Sequence, residues 1–292
     1  MNLTSVEIHP DGSSNTLVLS FRDPDSIEPY NVKDIKGLDA DDIIPQFIGS
    51  PGGSPSYNLR QGSRIIVLKM GLNPNYSLGQ SVSDIRDAVY KMIASSRKGK
   101  VQIQFRDAHS IVAVISGYIA KFESERFTRL QEVQLTVLCD TTMLTAPEPV
   151  KVDVAYLDPR NTFIIDDLST APHGFTFTLY FNTDLDSLTI RDPNDIWNFT
   201  IAPKPTLPGE VSREADEVLQ TGFTRYDSLF YSNEDEKQLY LIRGTTRQPL
   251  ADLVEPGSTW PIIFPGENHF TFNDYDAVSW TAVSYRPTYW GV

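Results

Sequence analysis

The chain has one cysteine, Cys139, among its 292 residues. No intrachain disulfide can form, so the small disulfide-stapled secreted scaffolds are excluded, and a lone thiol at the end of an apolar strand reads as a small buried hydrophobe. Histidine is nearly as scarce. His9, His109, His173 and His269 stand far apart, none at metal-ligand spacing with another His or with Cys139, and they read as surface or loop residues. Basic charge is short as well: 25 Lys and Arg face 38 Asp and Glu, a formal net charge of −13. Such a surface repels nucleic acid, a dense polyanion, and the strongest basic run, Arg97-Lys98-Gly99-Lys100, reads as a helix end. A passage through which DNA slides, by contrast, gains from not gripping phosphate. No apolar run approaches the ~20 residues of a membrane span, and Met1-Asn-Leu-Thr-Ser-Val-Glu7 has no basic start or apolar h-region. The expectation is no membrane insertion and synthesis in a cytoplasm.

Catalytic signatures are missing too. There is no Gly-x-Ser-x-Gly elbow, phosphate-cradling loop or dinucleotide fingerprint. Ser50 precedes Pro51 in a glycine-rich stretch with no base beside it. Among 38 acidic residues some carboxylate pair can always be proposed, so pairing alone carries no signal for glycosidase chemistry. Asp39, Asp41 and Asp42, and Asn233 to Glu236, offer oxygens for calcium, but neither stretch follows the EF-hand pattern, and both read as solvated acidic loops. The expectation is a protein that is not an enzyme and needs no cofactor or metal.

What the chain has is strands. Leu17, Leu19 and Phe21, then Val101, Ile103 and Phe105, then Val133, Leu135 and Val137 alternate with other residues at period two, which places one face on a core. Arg64 to Met70 and Ile111 to Ile119 are more continuous apolar runs, as expected of strands covered on both faces. One helix is expected over 83–97, with Ser83 as N-cap, Ile85, Val89 and Met92 buried, and Gly99 as the stop. The block Asn31 to Gly62 has weak periodicity and reads as a long loop. Thr145-Ala-Pro-Glu-Pro-Val150 breaks both helix and strand, giving domains at 1–147 and 148–292.

The second domain reads as a set of antiparallel strands. Phe175, Phe177, Leu179 and Phe181 share a face, and the turn Asn182-Thr-Asp184 leads to Leu188-Thr-Ile190 as the second arm of a hairpin. Further strands are expected near 196–201, 226–231, 238–243 and 278–285, with a proline-rich surface loop from Ala202 to Gly209. Pro265 and Gly266 suit the two central positions of a type II turn, and Asn268 is placed to bond the local backbone. Exposed aromatic rings on a β-sandwich can stack on sugars, which makes a carbohydrate-binding protein, a host-glycan adhesin, the alternative reading. Trp197, Tyr289 and Trp290 are its candidate residues, while Trp260 and Trp280 read as core or corner residues.

The order of these words resembles the siphophage distal tail proteins, the hub of the tail tip. The resemblance rests on Trp260-Pro261, Pro265-Gly266-Glu267-Asn268 and the closing Tyr285-Arg-Pro-Thr-Tyr289. In the first half it rests on Gly37-Leu-Asp-Ala-Asp41, Arg64-Ile-Ile-Val-Leu68, the helix, the Gln102/Gln104 strand, Gly117-Tyr-Ile-Ala-Lys-Phe122, and Phe127 leading to Gln131–Cys139. Where that family often has Cys-Pro, Cys139 is followed by Asp140. The resemblance implies a mainly β fold: an N-terminal sandwich- or barrel-like ring-forming domain with one α-helix, and a C-terminal galectin-like β-sandwich. It implies a non-enzymatic structural protein of the virion, at the distal end of the tail. A homohexameric ring would join the tail tube protein to the tail-tip hub protein and the receptor-binding components, and leave a channel for DNA.

Overall fold

The structure, a computed structural model, describes residues 3–21, 29–39, 44–48, 56–60, 64–96, 99–124, 131–152, 163–192, 198–202, 222–234, 236–273 and 277–291. The chain forms two compact units, Met1–Pro147 with Thr288–Val292, and Glu148–Pro287.

The first unit holds β1 (Ser5–Pro10), β2 (Leu17–Phe21), β3 (Tyr30–Lys36), β4 (Ile44–Ile48), β5 (Ser56–Arg60), β6 (Ile65–Leu72), α1 (Val82–Ser95), β7 (Lys100–Arg106), β8 (Ile111–Ser124), β9 (Glu132–Cys139) and β10 (Leu144–Thr145). Seven strands run β8-β7-β1-β2-β3-β6-β9, and β9 returns to pair with β8, which closes the barrel. Only the β2–β3 pair is parallel. The expected alternations hold: Val101, Ile103, Phe105, Val133, Leu135 and Val137 are buried, and so is Cys139. Strand β6 departs from expectation. It is covered on one face through most of its length, with Ile66, Leu68 and Met70 inside and Ile65 exposed, because a barrel has one interior and its strands alternate in and out.

Barrel closure turns on β8. Its fourteen residues pair with β7 from Ile111 to Tyr118 and with β9 from Gly117 to Ser124. Gly117 lies where the three strands converge, paired with both Val101 and Cys139. A Cβ there would fall 2.4 Å from the Leu138 carbonyl oxygen and 2.7 Å from the Cys139 Cα. Both are backbone atoms of β9, so any side chain at 117 would push the closing strand away.

The helix cap sits two residues earlier than expected. Ser81, not Ser83, is the N-cap: its hydroxyl accepts from the Asp84 N–H at 3.2 Å, and the Asp84 carboxylate accepts from the Ser81 N–H at 2.8 Å. This reciprocal box satisfies two donors that a cap at Ser83 would leave to water. Hydrogen bonds from the Ser81 side chain and backbone hold the Asp84 carboxyl below the ordinary aspartate value. Ile85, Val89 and Met92 are buried as expected and join the barrel core. Burial is worth about 1.5–3 kcal/mol per large apolar side chain and a cap about 1 kcal/mol, so packing places the helix and the cap only sets its start. Block 31–62 is not simply a loop. It contains most of β3 and the paired strands β4 and β5; its acidic and glycine-rich segments, 40–43 and 49–55, lie outside the described residues.

The second unit holds β11 (Val150–Val152), β12 (Phe163–Asp167), β13 (Phe175–Phe181), β14 (Leu188–Arg191), β15 (Asn198–Ile201), β16 (Ser228–Ser232), β17 (Gln238–Arg243), β18 (Thr246–Pro249), β19 (Gly266–Phe272) and β20 (Val278–Tyr285). Two antiparallel sheets, β11-β20-β13-β16-β17-β18 and β12-β19-β14-β15, share one core. Phe175, Phe177, Leu179 and Phe181 of one sheet and Phe199, Ile190 and Phe270 of the other are fully buried in it, a sandwich-like packing. Another expectation fails here: β13 and β14 are not the arms of a hairpin but lie in different sheets. The Asn182–Ser187 connection crosses between sheets and bridges to Phe223 through Leu185. The proline-rich segment after Ala202 lies outside the described residues.

The last strand, β21 (Thr288–Tyr289), falls within 148–292 of the sequence-based division but belongs to the first unit. It does not finish the sandwich but pairs with β10, Leu144 opposite Tyr289, and extends the sheet of the first unit. Arg64 anchors this tail. Its side chain is fully buried, and its guanidinium donates to the carbonyl oxygens of Gly37 (3.2 Å), Leu38 (3.3 Å) and Trp290. Arg64→Met keeps the apolar stem and removes these donors. A buried acceptor left unpaired costs about 1–3 kcal/mol, so the variant should be about 2–5 kcal/mol less stable in urea unfolding, and carboxypeptidase should strip residues 288–292 faster than in the parent. Unchanged stability together with unchanged tail cleavage would show that Arg64 does not anchor the tail.

Candidate functional site

The aromatic candidates do not come together. Trp197 lies outside the described residues. Tyr289 is half-buried against the barrel core of the first unit, and Trp290, also half-buried, receives the Arg64 hydrogen bond on its backbone oxygen. Trp260, read as a core or corner residue, packs against the second core beside Phe199 (5.2 Å between centroids) and Tyr231 (5.5 Å), with the Lys237 ammonium 5.2 Å from its ring. Trp280 lies in β20 opposite Leu179.

Of the residues considered for calcium, Asn233 does other work. Asn233 accepts from the Phe175 N–H at 2.8 Å and donates to the Pro261 carbonyl at 2.7 Å; Asp41, Asp42 and Asp235 fall outside the described residues. Among the described residues no group of three or more His, Cys, Asp and Glu is placed to hold a metal ion, and no helix is long and apolar enough to cross a membrane.

His173 is the histidine that the sequence reading misplaced. It is buried, stacks on Tyr285 at 5.3 Å and 14°, and places Nε2 3.1 Å from the Asp167 carboxylate and Nδ1 2.9 Å from the Gly174 carbonyl oxygen. Ser169 donates to the same Asp167 oxygen. Serine, histidine and aspartate thus meet, but not in an order that activates a nucleophile. That chemistry needs the hydroxyl on the imidazole and the carboxylate behind it, whereas here both donors converge on the carboxylate and the cluster is closed to solvent. The cluster ties the end of β12 to the start of β13, which belong to opposite sheets, and so acts as an inter-sheet clasp.

One feature of the second unit escaped the sequence reading: the turn Thr224–Asp227. Asp227 is buried and accepts from the Thr224 N–H (2.9 Å), the Thr224 hydroxyl (3.1 Å), and Arg243 Nε (2.8 Å) and Nη2 (2.6 Å). Burial works against its charge, but the Arg243 fork and the Thr224 donors outweigh that and hold the carboxyl below the ordinary aspartate value. The same hydrogen bond raises Arg243. On this base the turn presents Arg225 and Tyr226 to solvent, the guanidinium 4.8 Å from the ring centroid. Tyr226 is the one non-glycine residue with positive φ among those described, at 76°, a conformation that a bulky residue keeps only when its surroundings enforce it. Thr224 and Asp227, three apart, were the available signal; the partner Arg243, sixteen residues on, was not visible locally. Arginine and tyrosine held rigidly outward are residue types common at contact centres.

Because the folded state depresses the Asp227 pKa, its contribution is complete above the ordinary aspartate value of roughly 3.9 and is lost as pH falls through the lower folded value. Asp227→Asn should cost about 1.5–3 kcal/mol at pH 7, the range for hydrogen bonds to charged groups. Urea midpoints followed from pH 7 to 2.5 should show that gap constant down to about pH 5 and narrowing below about pH 4. A gap that stays the same at pH 2.5 would remove the ionised carboxylate from this account.

No protein-family model matches the sequence, and no curated protein matches it. Solved structures do. The Dit (gp 19.1) protein of SPP1, presented as a paradigm of the hub adsorption apparatus in phages infecting Gram-positive bacteria, superposes with a TM-score of 0.57 at 12% identity, over 97% of this chain and 98% of that one. Chains of the phage p2 baseplate in its activated conformation match at 11% identity with a TM-score of 0.39 (with Ca; 99% and 98% covered) and at 13% with 0.37 (with Sr; 97% and 97% covered); scores at that level add no weight. At such identity the likeness concerns the fold: from end to end, this chain has the fold of the SPP1 Dit protein.

Proposed function

We propose that this chain is a non-enzymatic structural hub of a siphophage tail tip. Copies of it close into a hexameric ring that joins the tail tube protein to the tail-tip hub and receptor-binding components, leaving a channel for DNA. The observation that carries this reading is the coverage of the fold match. A likeness confined to one β-sandwich would be common among unrelated proteins; this one runs through both units, 97% of this chain on 98% of the SPP1 Dit chain. In this role the first unit forms the ring and the second, a galectin-like sandwich, projects from it.

The net charge of −13 suits a part past which DNA travels, because acidic side chains do not neutralise phosphates and so do not slow the duplex by counterion release. The buried polar groups described above support a mechanical role, since each holds one segment of backbone against another.

Native mass spectrometry of the purified chain, alone and mixed with the tail tube protein of the same phage, tests the proposal. The expected result is a six-subunit species, or six-fold assembly once the tube protein is present. A chain that stays single at tens of micromolar and does not join the tube protein would overturn it.

A further inference from the structure

We infer that two separate apolar faces of the first unit meet head to tail between copies of this chain; the inference rests on the ring reading above and names the surfaces that would carry it. The first face is a row across three strands of the barrel. Ile65 of β6 stands opposite Leu138 of β9, which stands opposite Tyr118 of β8. All three point outward, at 50, 42 and 43% exposure. Lys100, opposite Tyr118 on β7, lies over its ring at 5.8 Å and pairs with Asp140 at 3.4 Å, which gives the row a charged rim.

The second face is a turn after β6. Tyr76 and Leu78 are each 74% exposed, yet the turn that carries them is tied down. Leu78 N–H and Gln80 N–H both donate to the Asn75 carbonyl, Gly79 N–H donates to the Tyr76 carbonyl, and Gly79 takes a left-handed φ of 73°. Two large apolar side chains are thus held out by a rigid support.

The row includes Ile65, the first residue of β6, and the turn follows the strand's other end at Leu72; the eight residues of the strand span about 25 Å at roughly 3.3 Å each. A two-fold contact that sets the row on its own copy leaves the turn in water, and one that sets row on turn reciprocally stops at a dimer, so the ring reading requires the repeating arrangement. A heterologous contact places the row of one copy on the turn of the next, buries both, and repeats, which is the condition for a ring. The area is consistent with a second copy as the occupant. An aromatic side chain offers roughly 150–250 Å², so the five side chains together expose on the order of 500 Å². A standard interface of roughly 1,600 Å² in total is about 57% apolar, so these faces make up more than half of its apolar part.

The test uses two variants of the full chain, Leu138→Asp and the double variant Tyr76→Ser/Leu78→Ser, each damaged on one face. The inference expects each alone to be monomeric in native mass spectrometry. An equimolar mixture should give dimers with one copy of each and nothing larger, because only one intact pair of faces remains. Thermal unfolding close to that of the parent shows that the variants are folded; if Leu138→Asp melts early, Ile65→Thr replaces it. The inference is overturned if the parent forms rings while the mixture stays monomeric, or if either variant still assembles alone. A parent that does not assemble at all is a different outcome: it refutes the ring reading, and this inference with it.

Discussion

A strand has two edges, and the first unit depends on β8 filling both. One edge takes β7, and the other takes β10 at Val114 and then β9 from Gly117 onward. Without the second pairing the sheet would end in two open edges, each a row of unpaired N–H and C=O groups prone to capture another chain. Closure is possible only because the backbone at Gly117 comes within van der Waals reach of β9. Once closed, the barrel has an inside, and that decides the rest: which side chains of β6 are buried, where α1 docks, and which side chains are left on the outer wall.

Period-two alternation told faces apart reliably, since Val101, Ile103, Phe105 and the Phe175–Phe181 series are all buried. It could not tell partners apart. β13 and β14 both alternate cleanly and adjoin in sequence, yet they belong to different sheets, because what pairs with a strand depends on residues far along the chain. The same limit hid the fate of the last residues. Tyr289 and Leu144 are distant in sequence, and only their register shows that the tail returns to the barrel. Local chemistry was legible where it was local. Gly266 has the positive φ (91°) that a type II turn requires, and Asn268 holds the corner by accepting from the Phe264 N–H and donating to the Phe264 and Gly266 carbonyls. His173 failed for the opposite reason: its ring neighbour, Tyr285, is over a hundred residues away.

The buried and half-buried polar residues follow one pattern. Arg64 donates to three carbonyls, Asn233 joins Phe175 to Pro261, Asp227 collects Thr224 and Arg243, and Tyr231, whose phenol pKa burial raises well above the ordinary value, donates to Pro261 at 2.7 Å. In a low-dielectric interior each such group is costly if left alone and strongly directional once paired. A hydrophobic core of the right volume accepts many arrangements of its surrounding loops. These hydrogen bonds accept one. They therefore act on shape more than on total stability, and shape is what a subunit of an assembly has to reproduce from copy to copy.

On the proposed ring reading, that requirement gives a reason for the barrel beyond its own stability. In a ring, an error in the angle between neighbours recurs at every contact, and a ring closes only when the accumulated rotation comes to a full turn. The angle is set by how the two contacting surfaces are placed on one body, so that body has to resist bending. A closed barrel with a packed interior does, because its strands cannot slide without breaking pairs on both sides and its core is as dense as an organic crystal. On the head-to-tail reading, both surfaces are fastened to β6 or to its immediate neighbours, at opposite ends of a strand hydrogen-bonded along both edges to β3 and β9. The angle of assembly is then carried by a strand held on both edges within the closed barrel.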